Sequence, residues 1–250
     1  MLNYFIDAHL NAGYQFILPP LILNHACGYA AGQFPKFADE VFTLTGNPDS
    51  PHFLLPTAET ALLNLHRDER LAGADLPLKY FAYTPCFRKE AGSYRTQERG
   101  TIRGHQFNKV ELFQFTHPQD SPATLEELIT QAETLVRGLD LHYRISKLAA
   151  KDCSAAMAKT YDIEVWIPSM DTYMEVSSAS NSRDYQARRA AIRYKDGTEK
   201  PHFVHTLNAS GLATSRLLPA LLEQHQRADG SVSVPDVLKP WLKRDIIEPA

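Results

Sequence analysis

The chain has 250 residues, 44% of them hydrophobic and 22% charged, with a net charge of −3. Its three cysteines, Cys27, Cys86 and Cys153, are odd in number and far apart, which excludes a disulfide framework and points to a reducing, cytoplasmic compartment. No CxxC or HExxH pairing suggests zinc, no signal peptide opens the chain and no stretch is long enough to span a membrane; an RNA partner and an acidic substrate both stay open, because local patches decide them.

Leu2, Phe5, Ile6, His9 and Leu10 make a helical apolar stripe over residues 2–12, with Gly13 as its stop. Residues 14–18 read as a strand closed by Pro19 and Pro20. A helix and strand with so little to cover them pack on their own chain or on a partner. The text from 21 to 51 is mixed. Residues 53–56 form a short strand that runs into Thr57-Ala58-Glu59. If the extension continues, Thr57 and Glu59 share a face and offer a hydroxyl beside a carboxylate. Otherwise Thr57 is the N-cap of the helix that follows.

Residues 83–115 (YTPCFRKEAGSYRTQERGTIRGHQFNKVELFQF) read as two strands joined by a long polar loop. By the strand period of two, Arg88 and Glu90 point the same way. On the second strand Arg103, His105, Phe107, Lys109 and Glu111 share a face, opposite Ile102, Val110 and Leu112. So much unpaired charge does not suit a core, and Phe107 does not suit a solvent face. The pattern fits a floor for a flat, anionic, nitrogen-bearing ligand, or an exposed hairpin laced with ion pairs. His105 reads as structural.

Ser121 as N-cap, Pro122 in the first turn and Leu125, Leu128, Ile129, Ala132, Leu135 and Val136 at helical spacing predict a helix closed by Gly138. Strands are predicted over 141–146, 161–167 and 172–178, the last giving Glu175 and Ser177 one face. Residues 181–193 are helix-compatible, with arginines on a solvated or RNA-facing side. Lys195-Asp196-Gly197 predicts a hairpin turn. The strand after it gives Asn208 and Ser210 one face and leads into a helix carrying Arg216, which either snorkels or meets an anion. The apolar tail from 232 docks on the domain edge. Interleaved strands and helices with hairpin signals favour an α+β fold, a mostly antiparallel sheet with helices against it.

Residues 83–115, TAE at 57–59, KTYDIEVWIPS at 159–169 and LNASGLATSR at 207–216 together resemble the catalytic domain of seryl-tRNA synthetase, a class II aminoacyl-tRNA synthetase. The resemblance covers nearly the whole chain and implies a single catalytic domain over 1–250, an antiparallel β-sheet flanked by helices. It also implies a homodimer through the first helix and strand, and a two-step reaction. Serine and ATP give seryl-adenylate and pyrophosphate, and the seryl group then passes to the terminal ribose of tRNA.

Carried onto this sequence, the resemblance gives Arg88 the α-phosphate and the serine carboxylate. Glu90 takes the adenine amino group, Phe107 the face of the ring, and Arg216 the other face and the γ-phosphate. Arg103 joins the ATP site, Glu175 and Ser178 bind Mg²⁺, and Thr57, Glu59, Glu111, Asn208 and Ser210 form the serine pocket with Arg88. The pairing of Glu175 with Ser178 conflicts with the strand period and requires a bulge. The family's N-terminal coiled-coil arm has no counterpart in these residues, so weakened charging of tRNA is expected. Other departures are AAKDCS at 149–154 in place of glycines, Ala209 where glycine is common, Thr214-Ser215 before Arg216, and Pro219 inside the last helix. Transfer of the adenylate to a carrier protein and a non-catalytic regulatory role are the competing functions. Arg95 and Arg99, in the 93–99 loop, are candidates for contact with an RNA end.

Overall fold

The computed structural model describes residues 1–46, 51–90, 100–198 and 200–249; the 93–99 loop lies outside them. Helix α1 (Leu2–Asn11) turns at Gly13, φ +81°, into strand β1 (Gln15–Phe16). Strands β2 (Ile22–Asn24), β3 (Thr43–Leu44) and β4 (His52–Leu54) form a small sheet around α2 (His25–Ala30), followed by α3 (Ala58–Leu63) and β5 (Arg70–Ala72). The long hairpin is β6 (Leu78–Phe87) and β7 (Gln106–Thr116), and α4 (Ser121–Gly138) follows it. Next come β8 (Tyr143–Lys147), β9 (Lys159–Ile167), β10 (Thr172–Arg183), α5 (Tyr185–Arg189), β11 (Arg193–Lys195) and β12 (His202–Phe203). Strand β13 (His205–Ala213) runs into α6 (Thr214–Gln224), and the tail adds β14 (Val232–Ser233), α7 (Lys239–Leu242) and β15 (Ile246–Ile247).

The main sheet has seven strands in the order β1-β6-β7-β13-β10-β9-β8. Every pair in it is antiparallel except the outermost, where β1 runs parallel to β6. Alternation along β7 assigns its faces. Val110 and Leu112 enter the larger core, against the buried residues Leu125, Leu128, Ala132 and Val136 of α4. Phe113 and Phe115, on the other face, pack under α3 with Leu62 and Leu63. The same face nearer the start of β7 carries Phe107, Lys109 and Glu111, which line a cavity. One strand face therefore passes from polar floor to apolar core along its length.

Helix α4 spans the predicted residues, but its details differ from the expectation. Ser121 is its first helical residue, not the cap; its Oγ donates to the Pro118 carbonyl at 3.1 Å. Gly138 permits close packing, since a Cβ there would lie 2.3 Å from the Tyr4 hydroxyl. The predicted helix over 181–193 shrinks to α5, between the end of β10 and β11. Strands β11 and β12 pair as the predicted hairpin, and Val234 and Leu238 of the tail are buried in the main core. In α1, Phe5 and His9 are buried on their own chain, whereas Leu10, Phe16, Leu18 and Ile22 are exposed. No helix among the described residues is long and apolar enough to cross a membrane.

Candidate active site

A cavity of about 1840 Å³ opens over one face of the sheet. Thr57, Glu59, Arg88, Glu90, Arg103, Phe107, Glu111, Glu175, Ser178, Asn208, Ser210 and Arg216 all line it, so the structure brings every predicted site residue together. His105 is not among the lining residues; it is exposed, its ring edge-on to Phe42.

Several residues arrive by a different route from the one expected. Arg88 follows the last residue of β6, and its Nε donates to the Pro56 carbonyl at 3.3 Å. Its guanidinium lies 5.3 Å from the centroid of the Phe107 ring. Glu90 adopts a left-handed φ of +55°, so the strand period does not govern it. Arg103 sits in a 3₁₀ turn, Gly100–Arg103, ahead of β7, and its Nε donates to Glu90 Oε2 at 2.5 Å. That turn also carries Ile102 into the cavity lining, contrary to the strand reading. The predicted bulge is present: β10 shifts register against β9 between Glu175 and Ser177. The extra residue returns Ser178 to the cavity side with Glu175, while the Ser177 Oγ donates to the Ser210 carbonyl at 2.7 Å. Arg216, at the start of α6, donates from Nη1 to the Glu175 carbonyl at 2.9 Å, and its Nη1 lies 3.7 Å from Glu175 Oε2.

Deeper in the cavity the extension ends at Thr57, which is the N-cap and leaves Glu59 in the first turn of α3, yet both residues line the site. The Thr57 Oγ1 accepts from the Glu59 amide at 3.3 Å. The same hydroxyl donates to Glu111 Oε2 at 3.1 Å and accepts from Lys109 Nζ at 2.8 Å. Lys109 forms an ion pair with Glu111, and both are buried. Buried charge is tolerated here because it is paired and hydrogen-bonded, which the argument from unpaired charge did not anticipate. Asn208 Nδ2 donates to Glu111 Oε1 at 3.1 Å and to Glu59 Oε2 at 3.4 Å. Burial, and then the Glu111 charge, push the Glu59 carboxyl up to about 7, against the lowering influence of Gln186, Lys109 and Arg88.

Asp162, which faces Ser178 across the β9–β10 ladder, also lines the cavity and was missed by the sequence reading. Its Oδ1 is buried without a hydrogen-bond partner, and burial with the nearby Glu175 charge raises its carboxyl to about 6. The signal was available in YDIEVWI: Ile163, Val165 and Ile167 alternate into the core, which leaves Asp162 and Glu164 facing the cavity. Among the described residues no three His, Cys, Asp or Glu cluster closely enough to hold a metal alone. The carboxylate of Glu175 and the hydroxyl of Ser178 are hard oxygen donors that flank the bulge and share the cavity face. They fit Mg²⁺, which takes one or two protein oxygens and completes its shell with phosphate and water.

A largely antiparallel sheet with a hairpin floor, a cavity lined by Arg88, Arg103 and Arg216 and a late strand–helix junction defines a class II synthetase core. The chain belongs to the tRNA synthetase class II core domain family (G, H, P, S and T), whose model matches residues 42–225.

Among its relatives, serine–tRNA ligase 2 of Clostridium acetobutylicum is 67% identical over 98% of this chain and 58% of that protein. The serine–tRNA ligase of Geobacter sulfurreducens is 52% identical over 97% of this chain and 57% of its own length. The crystal structure of seryl-tRNA synthetase from Pyrococcus horikoshii complexed with ATP superposes with a TM-score of 0.95 at 39% identity, covering 99% of this chain and 55% of that one. The chain thus spans a little over half the length of these relatives.

Proposed function

We propose that the chain, as one catalytic domain, activates L-serine with ATP, releasing pyrophosphate, and passes the seryl group from the adenylate to tRNA. The observation that carries this reading is the mixed lining of one cavity: Arg88, Glu90, Phe107 and Arg216, which we read as a nucleotide half, and Glu59 and Glu111 joined through Asn208, which we read as the amino-acid half. The relatives named as serine–tRNA ligases, and the ATP complex of the Pyrococcus structure, support serine and ATP as the substrates.

In the nucleotide half Phe107 stacks on adenine and Glu90, steadied by Arg103, accepts from its amino group. Arg216 covers the other face of the nucleotide and meets the γ-phosphate. The planar guanidinium suits both phosphate and ring. Arg88 stands between the α-phosphate and the serine carboxylate. In the other half Glu59 accepts the ammonium group, Glu111 and Ser210 meet the hydroxyl, and Thr57 and Asn208 hold the carboxylates in place. The serine carboxylate is already an anion at neutral pH, so no general base is required. One of its oxygens forms a bond to the α-phosphorus as the bond to pyrophosphate breaks. The protein contributes alignment and neutralises charge that grows on the phosphates. Mg²⁺, held by Glu175 and Ser178, supplies further neutralisation of phosphate charge when bound.

We place a homodimer contact on the exposed Leu10, Phe16, Leu18 and Ile22 around β1, and the protein in the cytoplasm, which suits its free cysteines. Serine-dependent exchange of pyrophosphate into ATP tests the activity, and its absence from an intact dimer overturns it. Charging of tRNA, measured beside thioester formation on a carrier protein, identifies the acceptor.

A further inference from the structure

We propose that Gln186 is a positioning residue for amino-acid recognition, fixing the direction in which Glu59 presents its carboxylate to the substrate ammonium. The inference rests on the reading of Glu59 as a serine-binding group. Gln186 stands on α5 and is 1% exposed. Its Nε2 donates to Glu59 Oε1 at 2.7 Å and to the Ala31 carbonyl at 3.2 Å. Its Oε1 accepts from Thr206 Oγ1 at 2.7 Å and from Ser182 Oγ at 3.2 Å.

A backbone carbonyl only accepts, so the contact with Ala31 identifies that end of the amide as the NH₂ group. The hydroxyls of Ser182 and Thr206 then face the oxygen. A carboxamide has two donor and two acceptor positions. Here both donors are used and the oxygen accepts from Thr206, while the single Ser182 proton is shared between Gln186 and Thr206, whose carbonyl lies at 3.0 Å. The two donor bonds and the Thr206 hydroxyl hold the amide in this orientation, and Glu59 Oε1 is held by a charge-assisted bond. Glu59 Oε2 is left facing Asn208, at 3.4 Å, and the cavity. The other charged groups bearing on Glu59 are Glu111 and Lys109 from β7 and Arg88 from the end of β6. Of these neighbours Gln186 is the one that does not line the cavity. Charge-assisted bonds of this kind are the strong ones, and a site that must be held to within a fraction of an ångström depends on such support.

A purely structural role for Gln186, joining α5 to α2 and β13, predicts a different set of results. In Gln186→Met the side chain keeps its reach and loses its donors. We expect the serine KM to rise about 10- to 100-fold while the ATP KM stays unchanged. The acid limb of kcat/KM for serine moves to higher pH, because the carboxyl has lost a bond that favours its charged form. In the Glu59→Gln background the same change adds no further rise in serine KM. Thr206→Val, which retains the shape and removes one hydroxyl aligning the amide, raises the serine KM about two- to tenfold and keeps the proposal testable if the methionine variant fails to fold. Calorimetric binding of L-serine to each folded variant gives the same ranking without turnover. A lower melting temperature with serine KM and acid limb unmoved overturns the proposal. So does a KM rise that persists in full when Glu59 is already glutamine. If Glu59→Gln itself leaves serine binding unchanged, the reading of Glu59 fails first. If it weakens binding and the Gln186 and Thr206 variants do not, this inference alone fails.

Discussion

Glu59 and Glu111 face each other across a single amide group, the Asn208 Nδ2 that lies 3.4 Å from one carboxylate and 3.1 Å from the other. They are not equivalent. Glu111 is neutralised by Lys109 and accepts from Thr57, whereas burial and the Glu111 charge raise the Glu59 carboxyl to about 7. An ammonium group binds the ionised form. Below about pH 7 serine must therefore displace a proton, and its KM rises up to about tenfold per pH unit. Exchange kinetics across about two pH units on each side of neutrality read this out, with the ATP KM flat over the same range. Calorimetry in buffers of different ionisation heat should register a proton released as serine binds at pH 6.

The same geometry predicts selectivity. Alanine removes the hydroxyl that Glu111 and Ser210 meet. Glu111 keeps Lys109, Thr57 and Asn208 as partners, whereas Ser210 loses the substrate contact. Sites built to bond a hydroxyl reject the analogue lacking it by about 10⁴-fold. Threonine keeps the hydroxyl and adds one methyl, which shape alone rejects by about 10- to 200-fold. Exchange kcat/KM for serine, threonine and alanine checks the order. Alanine activated better than threonine would contradict the assignment of the pocket.

Phe107→Ala removes the ring on which both the Arg88 guanidinium and, in our reading, adenine rest. A lost stacking contact is worth about 0.5–1.5 kcal/mol, so the ATP KM rises about two- to twelvefold, with the serine KM nearly unchanged. Equal increases in both would place Phe107 in the amino-acid half.

Much of this site was legible because strands have a period of two. Phe107, Lys109 and Glu111 on β7, and Asn208 and Ser210 on β13, sit where alternation put them. The period failed wherever the backbone left the ladder: at Glu90 with its positive φ, at Arg103 in its 3₁₀ turn, and at the bulge before Ser177. At that bulge only the family resemblance pointed to Ser178. Gln186 escaped notice for another reason. It reaches the site from a five-residue helix, too short for a periodic signal, and its partners are 20 or more residues away except Ser182. The ion pair of Lys109 with Glu111 was in plain view as i, i+2 on one face, but the cost of burying each charge alone hid the lower cost of burying them together.

His9 Nε2 lies 2.8 Å from the Gly211 carbonyl, and since a carbonyl only accepts, that nitrogen carries the proton. Burial lowers the His9 pKa from 6.5 to about 4, opposed by the bond to Gly211. The folded protein thus keeps His9 neutral while the unfolded chain takes up a proton. Stability is full above pH 6.5 and falls as the pH drops towards 4, by on the order of 3 kcal/mol over that window. Urea midpoints against pH measure it, and His9→Gln, which cannot titrate, should flatten the slope. Gly211→Ala tests the packing at the same point: its Cβ would meet the His9 ring at 2.3 Å, and overpacking in a core costs about 1–3 kcal/mol.

Strand β13 lies between β7 and β10 in the sheet, yet it is the last of the seven to occur along the chain. During synthesis, β7 and β10 leave the ribosome with facing edges that nothing yet joins. Until residue 213 has emerged, the sheet is two separate ribbons with bare backbone along the seam, the kind of edge that recruits other chains. The central strand arrives carrying Asn208 and Ser210, so the insertion that closes the seam also completes the amino-acid pocket. A nascent chain stalled short of it should be prone to aggregate and unable to bind serine, and release of a few more residues should change both at once.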